Sequence, residues 1–152
     1  MTQYKFHQPI RVRYVEVDAQ KHVYFGHYFT YFDVALLEYM RAIGYDCHQM
    51  VAGGVDMFYV DARCQYKGRA RFDDTLHVHA RIGHIGNTSF TFEFAAYKQP
   101  DDVLVATGHI VAVAVDVQLI GERPGELLHV EQGFAAARLP RKHVLEQVVV
   151  KL

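Results

Sequence analysis

FGHYFTYFDVALLEYMRAI, running from Phe25 to Ile43, contains no proline, carries Gly26 near its start and is followed at once by Gly44. A proline-free apolar segment with a glycine just past its end reads as one long α-helix. At about 100° per residue, His27, Thr30, Glu38 and Arg41 gather in one stripe, while Phe25, Tyr28, Phe32, Ala35, Leu36, Tyr39 and Ile43 fill the opposite side. So wide an apolar side predicts a helix that is mostly buried. Asp33 is the exception, lying about 100° from the centre of the polar stripe beside Phe29 and Met40. Either it occupies a solvated edge or it has a use inside.

Beyond this segment the period changes from 3.6 to two. From Phe58 to Lys67 the set Phe58, Val60, Ala62, Cys64, Tyr66 alternates with polar partners, which predicts a half-buried strand. Leu76, Val78, Ala80 and Ile82 form a second such set, and Phe90, Phe92, Phe94 and Ala96 a third. Turn chemistry separates the runs at Phe72-Asp73-Asp74, Gly86-Asn87 and Gln99-Pro100-Asp101-Asp102. Val103 to Val117 is apolar on both faces except near Thr107 to His109 and at Asp116, so it predicts a central strand or an interface. Gly108 within it suggests a bulge or a close backbone approach. Ahead of the helix, Ile10 to Val17 reads as another strand, with Val12 and Tyr14 on one face.

The order is then strand, long helix and a meander of four antiparallel strands. An apolar helix beside a sheet with one apolar face predicts an α+β fold in which the antiparallel sheet wraps around one long central helix. Past Asp116, Gly121 to Gly125 reads as a turn, and Leu127 to Leu152 as one or two short helices interrupted near Pro140. No repeat or linker divides the chain, so residues 1–152 are expected to form one domain with a C-terminal extension from about residue 121.

Composition narrows the function. The chain has 152 residues, 51% of them hydrophobic, and a folded monomer of this length buries only about 70% of its unfolded surface. Part of the apolar supply is therefore expected to cover a partner subunit. The 16 Lys+Arg nearly cancel the 17 Asp+Glu, leaving a formal charge of -1 without a basic run. That balance excludes the footprint of a dedicated nucleic-acid or polybasic membrane binder. Met1 to Pro9 is polar and the longest aliphatic run, Ile110 to Val115, falls far short of a bilayer span of roughly 20 residues, so a soluble, cytoplasmic protein is expected. Cys47 and Cys64 are expected as free thiols in that reducing compartment. His77 and His79 would share one strand face, but with no third ligand nearby they read as solvated, and neither metal nor cofactor is expected.

The sharpest local feature joins the first strand to the helix: RYVEVDAQKHVYFGHY, Arg13 to Tyr28, with Asp18 in the loop. A helix N-terminus offers free N–H donors and partial positive charge, a site suited to a developing oxyanion. A carboxylate beside it can serve as general base on water or as nucleophile. Residue type alone favours a capping or loop-turning role for Asp18. No Gly-x-Ser-x-Gly elbow occurs.

This stretch resembles the hotdog-fold thioesterases of the 4-hydroxybenzoyl-CoA thioesterase-like family. The shared features are an Arg-bearing strand, the acid, a short loop, Val23, an aromatic, and Tyr28 leading into an aromatic-rich helix. Asp18-Ala19 and His22-Val23 are similar to a subgroup with Gly-His-Val after its acid, although Lys21 replaces the glycine. Further agreement comes from Ala62, Cys64 and Tyr66, from Arg71-Phe72-Asp73-Asp74-Thr75-Leu76, from Thr88-Ser89-Phe90 and from Val115-Asp116, so the resemblance spans roughly Arg11 to Asp116. It implies a hotdog fold, acyl-CoA thioesterase activity and an active site at a subunit interface, hence a homodimer or a homotetramer built as a dimer of dimers.

Carried over by position, the resemblance implies Asp18 as the catalytic carboxylate and the Phe25 amide as the group that polarises the thioester carbonyl. It places Asp33 in the lining of the acyl pocket and Ser89 near the thioester. Some relatives carry His where this chain has Phe25, but any residue except proline supplies the N–H. Lys67, Arg69 and Arg71 are the densest local cations for CoA phosphates, or else a solvated strand end. Tyr24, Phe25, Tyr28, Phe29 and Phe32 suit a ring or an alkyl chain equally. Two further readings stay open: a non-catalytic acyl-CoA-binding hotdog protein, and a hotdog hydratase or dehydratase in which His22 assists an acid.

Overall fold

A computed structural model describes residues 4–117. The turn expected at 121–125, the helices at 127–152 and the break at Pro140 lie outside the described residues. Strands β1 (Phe6–Arg11), β2 (Val55–Tyr66), β3 (Thr75–Ile85), β4 (Ser89–Lys98) and β5 (Val103–Asp116) form one antiparallel sheet in the order β1-β3-β4-β5-β2. Helix α1 spans His27–Ala42, and a short α2, Cys47–Ala52, follows. Because β1 and β2 lie at opposite edges, the chain between them must cross the sheet. Helix α1 packs on β1, β2 and β3 along the way.

The expected apolar faces meet here. Tyr28, Phe32, Ala35 and Leu36 of α1 are buried against Leu76, Val78 and Ala80 of β3 and Phe90, Phe92, Phe94 and Ala96 of β4. Tyr31 and Met40, which the helical projection left outside the apolar set, are buried too. Phe32 stacks on Phe94 with ring centroids 4.8 Å apart and planes 11° from parallel. Each such ring contributes roughly 1.5–3 kcal/mol by leaving water.

Three sequence expectations change. The first strand lies earlier than Ile10 to Val17: β1 pairs with β3 from Phe6 opposite Ala80 to Arg11 opposite Thr75, where β3 itself begins. Beyond that point the chain turns, and Tyr14–Glu16 forms a 3-10 turn. Val12 is therefore buried while Tyr14 is 77% exposed. The four strands after the helix are not a simple meander either. With one edge of β3 occupied by β1, β2 pairs along the far side of β5.

The third change is a register shift in β2 between Tyr59 and Asp61. One unpaired residue in a ladder switches the side chains beyond it to the other face. Phe58, opposite Val113, thus belongs to a small cluster with Val113 and Val115, whereas Met57 and Cys64 pack against the main core. The alternating set read from Phe58 to Tyr66 is split between faces, and Tyr59 is turned to the helix side.

Gly108 is a close approach. A Cβ there would fall 2.5 Å from Cε2 of Phe32 and 2.4 Å from the carbonyl oxygen of Arg63 on the paired strand. Phe32 is fully buried and the carbonyl is backbone, so neither neighbour can retreat cheaply. Gly108→Ala is expected to lower unfolding free energy by about 2 kcal/mol, from the overpacking range. A urea midpoint equal to that of the unaltered protein would refute this.

Candidate active site

The Asp18 loop is a short excursion closed by backbone bonds. Val17 and Val23 form an isolated antiparallel bridge, Asp18 N–H donates to the His22 carbonyl (3.0 Å), and Lys21 N–H donates to the Asp18 carbonyl (2.9 Å). Oδ1 of Asp18 accepts the Gln20 N–H at 2.8 Å, so this side chain does turn the loop as its residue type suggests. The other oxygen, Oδ2, stands 3.7 Å from His22 Nδ1. Lys21 adopts φ 61°, the left-handed region in which glycine is unstrained. This accounts for glycine at that position in the subgroup the loop resembles.

Two bonds anchor the return side of this loop, one to the 3-10 turn and one to the connection between β2 and β3. Tyr24 N–H donates to the Glu16 carbonyl at 2.9 Å, and Val23 N–H donates to the Ala70 carbonyl at 2.8 Å. Phe25 follows directly, one residue before Gly26, the N-cap of α1. Among the described residues no acceptor takes the Phe25 N–H, and its carbonyl accepts the Tyr66 hydroxyl at 3.1 Å. The Phe25 ring, placed in the buried set by the helical projection, precedes the helix and is 58% exposed. Tyr24 is exposed beside it, ring centroids 4.5 Å apart. A carboxylate and an unpartnered amide at the positive end of a 16-residue helix thus flank one short ladder.

A cleft of about 520 Å³ opens next to this ladder, lined by Tyr14, Asp18, Gln20, Lys21, Arg71 and Phe72 among others. Arg71 and Asp18 therefore share a cleft, while Lys67 and Arg69 are exposed on the segment leading to it. Asp33 lies elsewhere, half-buried and about 12 Å along the helix from Phe25 at 1.5 Å per residue. Its Oδ1 accepts the Tyr59 hydroxyl at 2.7 Å, from the last residue of β2 before the register shift. Burial first, and then the Asp33 bond, push the Tyr59 hydroxyl pKa well above its ordinary value.

Ser89 stands apart within this chain. It pairs with Val113, whereas Tyr66, which touches Phe25, pairs with Ala106, roughly 20 Å away along β5 at strand rise. Cys47 and Cys64 are unpaired thiols. The pairing of β1 with β3 adds His7 to His77 and His79, with the His7 and His77 rings stacked at 4.4 Å. Burial, then the neighbouring imidazoles, hold His77 and His79 below the ordinary histidine pKa. Among the described residues no group of three or more His, Cys, Asp and Glu has an arrangement fit to hold a metal ion.

Glu16 is the feature that the residue pattern did not disclose. It is 3% exposed, and its carboxylate accepts the Arg13 N–H (2.8 Å), the Arg13 guanidinium (2.7 and 3.0 Å) and the Tyr31 hydroxyl (2.8 Å). Burial pushes its pKa up, but these donors outweigh that and hold the carboxyl below its ordinary value.

The sequence matches the thioesterase-like superfamily over residues 12–148, and the chain belongs to that superfamily. It is 32% identical over 120 residues to a putative esterase of Aquifex aeolicus (strain VF5), a match covering 79% of this chain and 92% of the relative. Over 111 residues it is 26% identical to the acyl-CoA thioester hydrolase YbgC of Escherichia coli O6:H1, covering 73% of this chain and 82% of that one. The crystal structure of a DHNA-CoA thioesterase from Staphylococcus aureus superposes with a TM-score of 0.70 at 18% identity, covering 92% of this chain and 91% of that chain. At that identity the likeness is one of fold. The sheet packed on α1 is a hotdog fold, and thioester hydrolysis is the chemistry of the class.

Proposed function

We propose that this protein hydrolyses the thioester of an acyl-CoA, giving a free acid and CoA. The feature that supports this reading is the short backbone ladder of the loop, in which Val17 bridges Val23 and Tyr24 N–H bonds the Glu16 carbonyl, with Asp18 on one of its two segments and the unpartnered Phe25 amide directly after the other. The carbonyl oxygen of the substrate accepts that N–H at the start of α1, and charge developing on it is stabilised by the helix dipole. Asp18 attacks the carbonyl carbon, or takes a proton from a water that attacks it. The C–S bond then breaks and the CoA sulfur leaves as thiolate and is protonated; where water attacked, the free acid is formed at once, and where Asp18 attacked, a second step in which water cleaves the acyl-aspartyl anhydride releases the acid and restores the Asp18 carboxylate.

Tyr24 and Phe25 supply exposed aromatic surface at the same place, and Arg71, with Lys67 and Arg69 nearby, supplies charge for CoA phosphates. Asp33, held by Tyr59, lines the acyl pocket in this reading. Ser89 is too distant within one chain, so it reaches the thioester only in a homodimer or a dimer of dimers. The edge position of β2, with Tyr59, Val60 and Tyr66 exposed, favours such an assembly. A subunit that works among cytoplasmic thiols is consistent with the free state of Cys47 and Cys64.

Thiol release measured over short aliphatic, long aliphatic and aromatic CoA esters tests the proposal. Turnover well above the uncatalysed rate is expected with at least one ester. Tight acyl-CoA binding without release over hours would instead establish a binding protein.

A further inference from the structure

Catalysis by Asp18 and the Phe25 amide requires that two separate pieces of chain, the 18–22 loop and the start of α1, keep one spacing. We infer that Glu16 and Tyr31 form the lock that sets it, Glu16 acting as a positioning residue for the site; this rests on the thioesterase reading above. Glu16 is attached to every piece involved. Its side chain binds Tyr31, which lies on α1, and Arg13 at the entry to the 3-10 turn. Its carbonyl accepts the N–H of Tyr24, the residue before Phe25. Asp18 is two residues further along the same backbone.

Neither partner is placed to touch substrate, since Glu16 is 3% and Tyr31 2% exposed. Both carboxylate oxygens are fully engaged: Oε1 by the guanidinium, Oε2 by the Arg13 N–H and the Tyr31 hydroxyl. A buried carboxylate with donors on both oxygens has one geometry, because any shift leaves a charged acceptor unsatisfied. The Tyr31 end of this network therefore fixes where α1 stands relative to the turn that launches the Asp18 loop. The lock transmits position and leaves the chemistry to Asp18 and the amide.

Two variants test this in the full chain, each with two readouts. Tyr31→Phe removes only the hydroxyl and keeps the ring packed; Glu16→Gln removes the charge. Both are expected to lower kcat by between about tenfold and a hundredfold while KM stays within about twofold, as for a displacement near 1 Å of reacting groups. The double variant is expected to be no slower than the slower single one, because both break one network. Hydrogen exchange is expected to quicken across Asp18–Phe25 in both variants and to stay unchanged in β4 and β5.

Unchanged exchange across Asp18–Phe25 in folded Tyr31→Phe would overturn the lock, as would a raised KM at constant kcat. If the unaltered protein releases no thiol from any ester, the thioesterase reading fails by itself. The exchange measurement then still decides whether Glu16 couples the loop to α1. Should Glu16→Gln fail to fold, the milder Tyr31→Phe decides the matter alone.

Discussion

Asp18→Asn is expected to reduce turnover of any accepted acyl-CoA by at least about a hundredfold, within the range for loss of a positioned base or nucleophile. The substitution is close to isosteric, and its amide oxygen can still accept the Gln20 N–H that Oδ1 accepts now, so the loop should keep its turn. What disappears is the negative charge and the lone pair on Oδ2, the oxygen facing His22. If the carboxylate acts only in the transition state, kcat and kcat/KM fall together and KM is nearly unchanged. Steady-state thiol release with a circular-dichroism check on folding reads this out. Full activity in a folded Asp18→Asn would remove this residue from the chemistry, and His22, whose Nδ1 stands 3.7 Å from Oδ2, would become the group to test next.

Such a site was partly legible in the chain itself, and the parts that were not share a physical cause. The α1 helix and the strands around Leu76 and Phe92 announce themselves because their burial is a local repeat, 3.6 or two residues long, written along one segment. Helix α2 also left a local mark, Asp46 three residues ahead of Gln49, whose N–H it caps at 2.9 Å, but the segment is a single short turn or so without an apolar repeat to support it. Strand order leaves no such mark: whether β3 pairs with β1 or with β2 depends on residues some seventy positions apart, such as Phe6 and Ala80.

The register shift at Val60 is hidden for a related reason. The alternation Phe58, Val60, Ala62 looks unbroken in one dimension, and only the ladder to β5 shows that Val60 is skipped, so that Tyr59 shares the helix side with Met57 and meets Asp33. Glu16 is a sharper example. Beside Arg13 it reads as an ordinary exposed ion pair three residues apart, worth a few tenths of a kcal/mol. Its meaning comes from Tyr31, fifteen residues later, closing over it. Where function depends on two segments held at one spacing, the residue that holds them need not lie in any motif.

The amide of Phe25 permits a test that no side-chain substitution offers. Phe25→Pro is expected to lower kcat by about a hundredfold to a thousandfold, the usual loss on removing one oxyanion donor. Proline removes the N–H in question along with the exposed ring and is tolerated where a helix begins, and among the described residues that N–H serves no intramolecular acceptor. The structural cost falls on Tyr24, which must adopt an extended conformation before a proline while still donating to Glu16. Phe25→Ala supplies the comparison: it deletes an exposed ring but keeps the donor, so its turnover should stay within about tenfold of the unaltered protein. A backbone donor therefore predicts a large gap between proline and alanine at one position. Equal losses in both would assign the effect to the aromatic ring, and equal retention would leave the carbonyl polarised by some other group. The gap should also shrink in an Asp18→Asn background, because an oxyanion donor and a base that serve the same transition state do not contribute additively.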